Sequence, residues 1–117
     1  MAANARFPRE VRLRKRAQFL DVQAHGRRVS SFRFIMLSCR REDDGEMRLG
    51  ITVSRRVGNA AQRNRIKRLV REAFRRERAG WPKGLDVVMI AREPARDATL
   101  ADVTEELRGL LRRVHGS

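Results

Sequence analysis

Between Asn59 and Gly80 an apolar stripe at helical spacing runs between arginines, and no other segment narrows the fold as far. Ile66, Leu69, Val70, Ala73 and Phe74 fall at i, i+3, i+4, i+7 and i+8, the spacing of one helix face. Asn64, Arg68, Arg71 and Arg75 occupy the opposite side, with Arg65 and Lys67 flanking them. Asn59 is a good N-cap, and Gln62 three residues on completes a capping box. Gly80 and Pro82 mark the end. The aliphatic face must dock on an apolar layer, while the arginine face is left to water or to anions. Only Glu72 and Glu77 are acidic in this stretch, so i,i+4 pairing cannot neutralise most of its cations.

The rest of the pattern supplies that layer. A short helix is expected from about Lys15 to His25, with Leu13, Ala17, Leu20 and Ala24 on its buried face and Gly26 as its stop. Residues 29–40 read as one strand, with Phe32, Phe34 and Met36 on one side and Arg33, Ile35, Leu37 and Cys39 on the other. The acidic cluster Glu42–Glu46 contains Asp44-Gly45, a hairpin signal, and reads as a solvated turn rather than a metal loop. Strand 47–54 follows, with Met47, Leu49, Ile51 and Val53 on one face. Residues 85–92 are a continuous apolar run, hence a buried strand. Thr99 can cap a last helix whose apolar positions are Leu100, Val103, Leu107, Leu110, Leu111 and Val114. The expected architecture is α+β, a single-domain sandwich of helices on a small mixed sheet in the order α-β-β(-β)-α-β-α. Residues 1–12 read as a basic, flexible arm and residues 13–115 as the domain, with no repeat and no linker.

Charge says what the domain meets. The 117 residues carry 28 Lys+Arg against 14 Asp+Glu, a net +14. Residues 1–28 hold eight basic and two acidic side chains, and residues 55–78 hold ten and two, so the two blocks account for the whole excess. Two such blocks imply two contact surfaces for a polyanion. Lysine is confined to Lys15, Lys67 and Lys83. Arginine's planar fork suits bidentate phosphate contacts and stacking on bases. Apolar runs are far shorter than the ~20 residues that span a bilayer. The N-terminus has arginines but no apolar segment, so it is not expected to be a secretory signal. One cysteine, Cys39, excludes an internal disulfide and a multi-cysteine zinc site. A reduced, cytoplasmic nucleic-acid-binding protein is expected. His25 and His115 do not read as a two-histidine ribonuclease, and no catalytic or metal-ligating set stands out.

Residues 51–75, ITVSRRVGNAAQRNRIKRLVREAFR, closely resemble the signature of the bacterial ribonuclease P protein family. The resemblance centres on Arg63-Asn64-Arg65, followed by Ile66, Lys67, Arg68 and Arg71. Ser54-Arg55-Arg56 and Val57-Gly58-Asn59-Ala60 also fit, and it extends outward to Phe19, His25-Gly26 and Ala91-Arg92, covering about residues 9–114. It implies a protein cofactor of a catalytic RNA, in a holoenzyme that removes the 5′ leader of precursor tRNA with RNA-bound Mg²⁺ doing the chemistry. It also implies a left-handed βαβ crossover, where the general rule is right-handed, and a monomer in a 1:1 complex with the RNA.

By position, the resemblance places Arg55, Arg56, Arg63, Asn64, Arg65, Lys67, Arg68, Arg71 and Arg75 on the surface that meets the catalytic RNA. It places a leader cleft between the first helix and the sheet, at Phe19, Gln23, Arg33, Ile35 and Leu37. Phe19 has two readings, a platform for an extruded leader base or ordinary core packing. Gln23 and Leu37 stand where relatives can carry aromatic residues, so stacking is thinner here and leader recognition leans on arginines. Two other classes share the charge: a non-catalytic RNA-binding module such as a ribosomal protein, and a nucleoid DNA-binding protein. The first does not need the Arg63–Arg71 signature, and the second should bind duplex DNA as well as structured RNA.

Overall fold

A strand that is apolar at every position except Asp86 must be covered on both faces and both edges, and β4 (Leu85–Ala91) is. The computed structural model describes Arg12, residues 16–77 and residues 80–115. Its elements are α1 (Arg16–His25), β1 (Arg27–Ser30), β2 (Phe34–Arg40), β3 (Arg48–Thr52), α2 (Ala60–Glu77), β4, a 3₁₀ turn (Glu93–Asp97) and α3 (Leu100–His115). The sheet order is β1-β2-β4-β3. β4 runs antiparallel to β2, with Phe34 opposite Ala91, and parallel to β3, with Thr52 opposite Ile90. α2 is therefore the crossover between parallel neighbours, and the expected α+β sandwich and element order are observed.

The two sheet faces bury different partners. Val29, Phe34, Met36, Leu49, Val87 and Met89 meet Ile66, Val70, Ala73 and Phe74 of α2 and Val103, Leu107 and Leu110 of α3. Each such side chain contributes roughly 1.5–3 kcal/mol on full burial, so this face carries most of the stability. The other face is smaller. Val22 of α1 and Val88 are fully buried there, with Phe19, Leu37, Cys39 and Ile90 packed around them.

Four expectations need correction. α1 does not bury the Ala17/Leu20/Ala24 face: Leu20 is 48% exposed, and Val22 is the buried residue. Leu13 lies outside the described residues. Gly26 does stop the helix, but by close approach rather than a left-handed backbone: its N–H donates to Val22 O at 2.7 Å, and a Cβ there would meet that oxygen at 2.3 Å.

The strand read over 29–40 is two strands joined by a turn at 31–33, so Phe32 leaves the Phe34/Met36 face and stands in solvent. The reason is remote in sequence: Glu106 of α3 accepts from Ser31 Oγ at 2.6 Å and from the Arg33 backbone N–H at 2.8 Å. Asp44-Gly45 closes no hairpin either, because β4 lies between β2 and β3. That loop is clamped to the start of β4 instead, where the Gly84 N–H donates to Gly45 O and the Arg41 N–H donates to Gly84 O, both at 2.7 Å. Gly84 has φ 70°, which only glycine adopts freely. Finally, Arg12, assigned to the arm, forms a parallel bridge with Leu49 on the outer edge of β3. Residues 1–11 lie outside the described residues.

Candidate nucleic-acid interface

The cationic face of α2 is positioned by its cap and its core. Asn59 Oδ1 accepts from the Gln62 N–H, and Gln62 Oε1 accepts from the Asn59 N–H, both at 2.9 Å, so the expected capping box is formed in full. Ile66, Val70, Ala73 and Phe74 are fully buried, which fixes the rotation of the helix. Asn64 and Arg68 are then exposed, and Lys67, Arg71 and Arg75 half-buried. Arg68, Arg71 and Arg75 form a row about 10 Å long, from the rise of 1.5 Å per residue.

The acids of α2 are already engaged. Glu72 pairs with Arg75 and, at 3.4 Å, with Arg76. Glu77 accepts from Arg108 Nε of α3 at 2.7 Å. Glu72 holds the Arg75 guanidinium above its usual pKa, and Arg75 in turn holds the Glu72 carboxyl below its own. Among the described residues, Asn64, Lys67, Arg68 and Arg71 have no hydrogen-bond or ion-pair partner. Burial, then the nearby Arg12 cation, lowers the pKa of Arg71. Arg12 therefore joins this surface, which the sequence pattern did not show. Its signal is the bridge to Leu49, a long-range pairing with no local period.

The remaining members of the row's surroundings differ in their freedom. Arg65 Nη2 donates to Ala98 O at 2.8 Å, tying α2 to the segment before α3. Arg63 is half-buried, and its Nε is enclosed without a partner. Arg55 and Arg56 are exposed in the turn that precedes α2. That turn is held by the Val57 N–H on Ser54 O at 3.1 Å and by Arg96 Nε on Val57 O at 2.6 Å.

On the opposite sheet face, α1 and the sheet bring together Phe19 and Leu37, with Cys39 and Ile90. Ile35 is half-buried at the margin, paired in register with Ile90. Gln23 is exposed on α1. Arg33 is not brought to this cleft: its Nη1 donates to Glu106 Oε2 at 2.8 Å, and Asp102 lies 3.7 Å from its Nη2. Glu106, Asp102 and burial act on Arg33 together, with the Glu106 bond the largest effect, and its pKa is raised. Burial, followed by Asp21 and Asp86, pushes the Cys39 thiol up, so it stays protonated near neutral pH.

One end of this face is closed by a buried ion cluster. Asp86 accepts from Arg41 Nη1, Arg48 Nε and Arg48 Nη2, each at 2.7 Å. Among the described residues, no group of three or more His, Cys, Asp or Glu side chains could hold a metal ion. No helix there is long and apolar enough to cross a membrane.

The Ribonuclease P family model matches residues 7–115. The chain belongs to the ribonuclease P protein family. It is 39% identical over 105 residues to the ribonuclease P protein component of Brevibacillus brevis, covering 90% of this chain and 83% of that one. It is 42% identical over 106 residues to that of Gluconacetobacter diazotrophicus, covering 90% and 91%. Among solved structures, the RNase P protein of Staphylococcus aureus superposes with a TM-score of 0.81 at 34% identity, over 89% of this chain and 94% of that one. The RNase P protein of Thermotoga maritima gives 0.79 at 39% identity, over 87% and 96%. Segment 51–75 spans the end of β3, the 55–57 turn and most of α2, so it coincides with the cationic surface.

Proposed function

We propose that this chain is the protein subunit of a ribonucleoprotein endonuclease that removes the 5′ leader of precursor tRNA. The α2 surface docks on the catalytic RNA, and the cleft between α1 and the sheet takes the leader. The observation that carries this reading is the row of Asn64, Lys67, Arg68 and Arg71, without a partner among the described residues, on a helix whose other face is locked in the core. A cation row without carboxylate partners gains most by meeting phosphates, where charge-assisted bonds are strong. Asn64 can donate and accept at once, which suits a base edge or a 2′-hydroxyl.

The bond cleavage is assigned to the RNA. Water attacks the phosphorus at the leader junction, the leader departs with a 3′-hydroxyl, and the tRNA keeps its 5′ phosphate. Mg²⁺ belongs with the RNA in this reading. The carboxylates that gather in the protein are engaged by arginines, Asp86 by Arg41 and Arg48 and Glu106 by Arg33. They do not form a cage for the ion, and no step is routed through a protein-bound metal. The protein's share is to neutralise phosphate repulsion and hold the leader, as a cytoplasmic monomer in a 1:1 complex with its RNA.

The test is cleavage of precursor tRNA by the cognate ribonuclease P RNA at low, near-physiological Mg²⁺, with and without the protein. Strong stimulation with a mature 5′ end supports the proposal. No stimulation by the folded protein, with an RNA that cuts alone at high Mg²⁺, overturns it.

A further inference from the structure

Phe32 is 65% exposed, more than any other large apolar side chain described. The turn that presents it is not loosely held. Ser31 and Arg33 are bonded to Glu106, Arg92 Nη1 donates to Ser31 O at 3.0 Å, and Arg113 Nη1 donates to Ser30 O at 2.7 Å. A ring held in water contributes less to the fold than burial of that area would.

The ring borders an open depression of about 460 Å³ between the β1–β2 turn and α3. Gly109 lies in its wall, where a Cβ would meet nothing within 4 Å. Charge is graded along this stretch of α3. Asp102 and Glu106 are matched by Arg33, which leaves the exposed Glu105 at one end and the exposed Arg112 at the other. The Arg33 guanidinium sits 5.1 Å from the Phe32 ring centroid, so a cation already backs the aromatic wall.

We infer that this groove takes one nucleotide of a single-stranded RNA. The base stacks on Phe32, its phosphate meets Arg112, and Glu105 accepts from an exocyclic amino group. Stacking with a cationic rim is the general mode of single-strand binding. Arg27, exposed on β1, adds a cation on the strand beside the groove. β1 is the edge strand opposite β3, and the molecule is 37 Å across. The groove therefore lies at the β1 edge of the sheet, while α3 itself packs on α2. The inference rests on the reading of the chain as an RNA-binding subunit.

The probe is a short, unstructured RNA oligonucleotide of mixed sequence, added to the full chain already assembled with its catalytic RNA. In Phe32→Trp, oligonucleotide addition should quench the new indole, whereas the same addition should leave emission from Trp81 alone unchanged in the parent protein. Phe32→Ala and Arg112→Glu should each weaken oligonucleotide binding about tenfold, the size of one lost stack or phosphate contact, and leave assembly with the catalytic RNA unchanged. An indole at position 32 that ignores the oligonucleotide, with assembly intact, overturns the groove alone; a groove built for a protein partner would behave in that way. Failure of the parent protein to assemble with the catalytic RNA overturns the functional reading and the groove together.

Discussion

Replacing Glu72 by glutamine should tighten RNA binding. Glu72 is the carboxylate that sits within the cation row, bonded to Arg75 by two oxygens and reaching Arg76. Glutamine keeps the shape and the helix propensity but removes the charge, so a carboxylate no longer competes with a phosphate for Arg75. One further phosphate neutralised changes the salt slope by about 0.7–0.9, which at 0.1 M salt is about five- to eightfold in affinity. The side chains of Arg75 and Glu72 are 29% and 31% exposed, so solvent already screens part of their attraction. A gain of about threefold is the expected value, with about eightfold as the ceiling.

The cost to the fold is small, since helix-surface ion pairs are worth about 0.3–0.5 kcal/mol each. Binding to the catalytic RNA would be followed by fluorescence anisotropy across a salt series, with circular dichroism to confirm the fold. The steeper salt slope is the sharper readout, because a change in packing would move affinity without moving the slope. Arg75→Ala, by the same reasoning, should cost less than Arg68→Ala, whose cation has no protein partner. A folded Glu72→Gln protein with unchanged affinity and slope would refute the argument that intrahelical pairing sets each arginine's availability.

Arg68→Ala combined with Arg71→Ala should weaken binding to the catalytic RNA and lower its salt slope by about two units, measured in the same titration. Phe19→Leu keeps apolar packing against Leu37, Cys39 and Ile90 but removes the ring; it should leave the thermal midpoint nearly unchanged and raise the KM for leader-bearing tRNA, and an unchanged KM would make Phe19 a packing residue only. Asp86→Asn strands Arg41 and Arg48 without their shared carboxylate, and urea unfolding should show a loss of about 3 kcal/mol, the lower end for a broken buried pair, because Arg41 retains Asp43 and two backbone carbonyls. Arg55→Ala with Arg56→Ala should weaken RNA binding with no change in stability, since neither side chain has a partner among the described residues.

What the sequence made legible was whatever is decided locally. The two helix caps are contiguous signals, and both form: Asn59 makes the expected box with Gln62, and Thr99 caps α3, its Oγ1 accepting from the Asp102 N–H at 3.1 Å. The strong stripe of α2 fixed its buried face for the same reason. The misses are all long-range decisions. Alternation continued through Ser30–Arg33 as if in one strand, whereas Glu106, more than 70 residues away, bonds the chain into a turn there. Asp44-Gly45 looked like a hairpin, but a run as apolar as β4 outcompetes β3 for the place beside β2, because both faces of a central strand are buried. On α1 the small Ala17 and Ala24 spread weak apolar character around the helix, and tertiary contact with Val88 selected Val22. Arg33 followed the strand reading into the cleft and is drawn instead to α3.

The register of the sheet explains how the two surfaces proposed to meet RNA, which lie on opposite faces, are joined. Thr52 of β3, Ile90 of β4 and Ile35 of β2 are aligned across three neighbouring strands. Ile35 and Ile90 are at the margin of the α1 cleft, and the chain leaves Thr52 directly into the turn that bears Arg55 and Arg56 before entering α2. The same end of the sheet therefore joins the apolar cleft to the cationic helix through two exposed arginines. The other end is closed by Asp86 with Arg41 and Arg48, where charges are matched and offer an anion little. A single strand entering the cleft thus meets the exposed Arg55 and Arg56 toward the turn that leads to α2, and the matched Asp86 cluster toward the other end. The polarity follows from two features of the chain: a central strand with its one acid at the start, and a crossover helix that begins just past the end of β3.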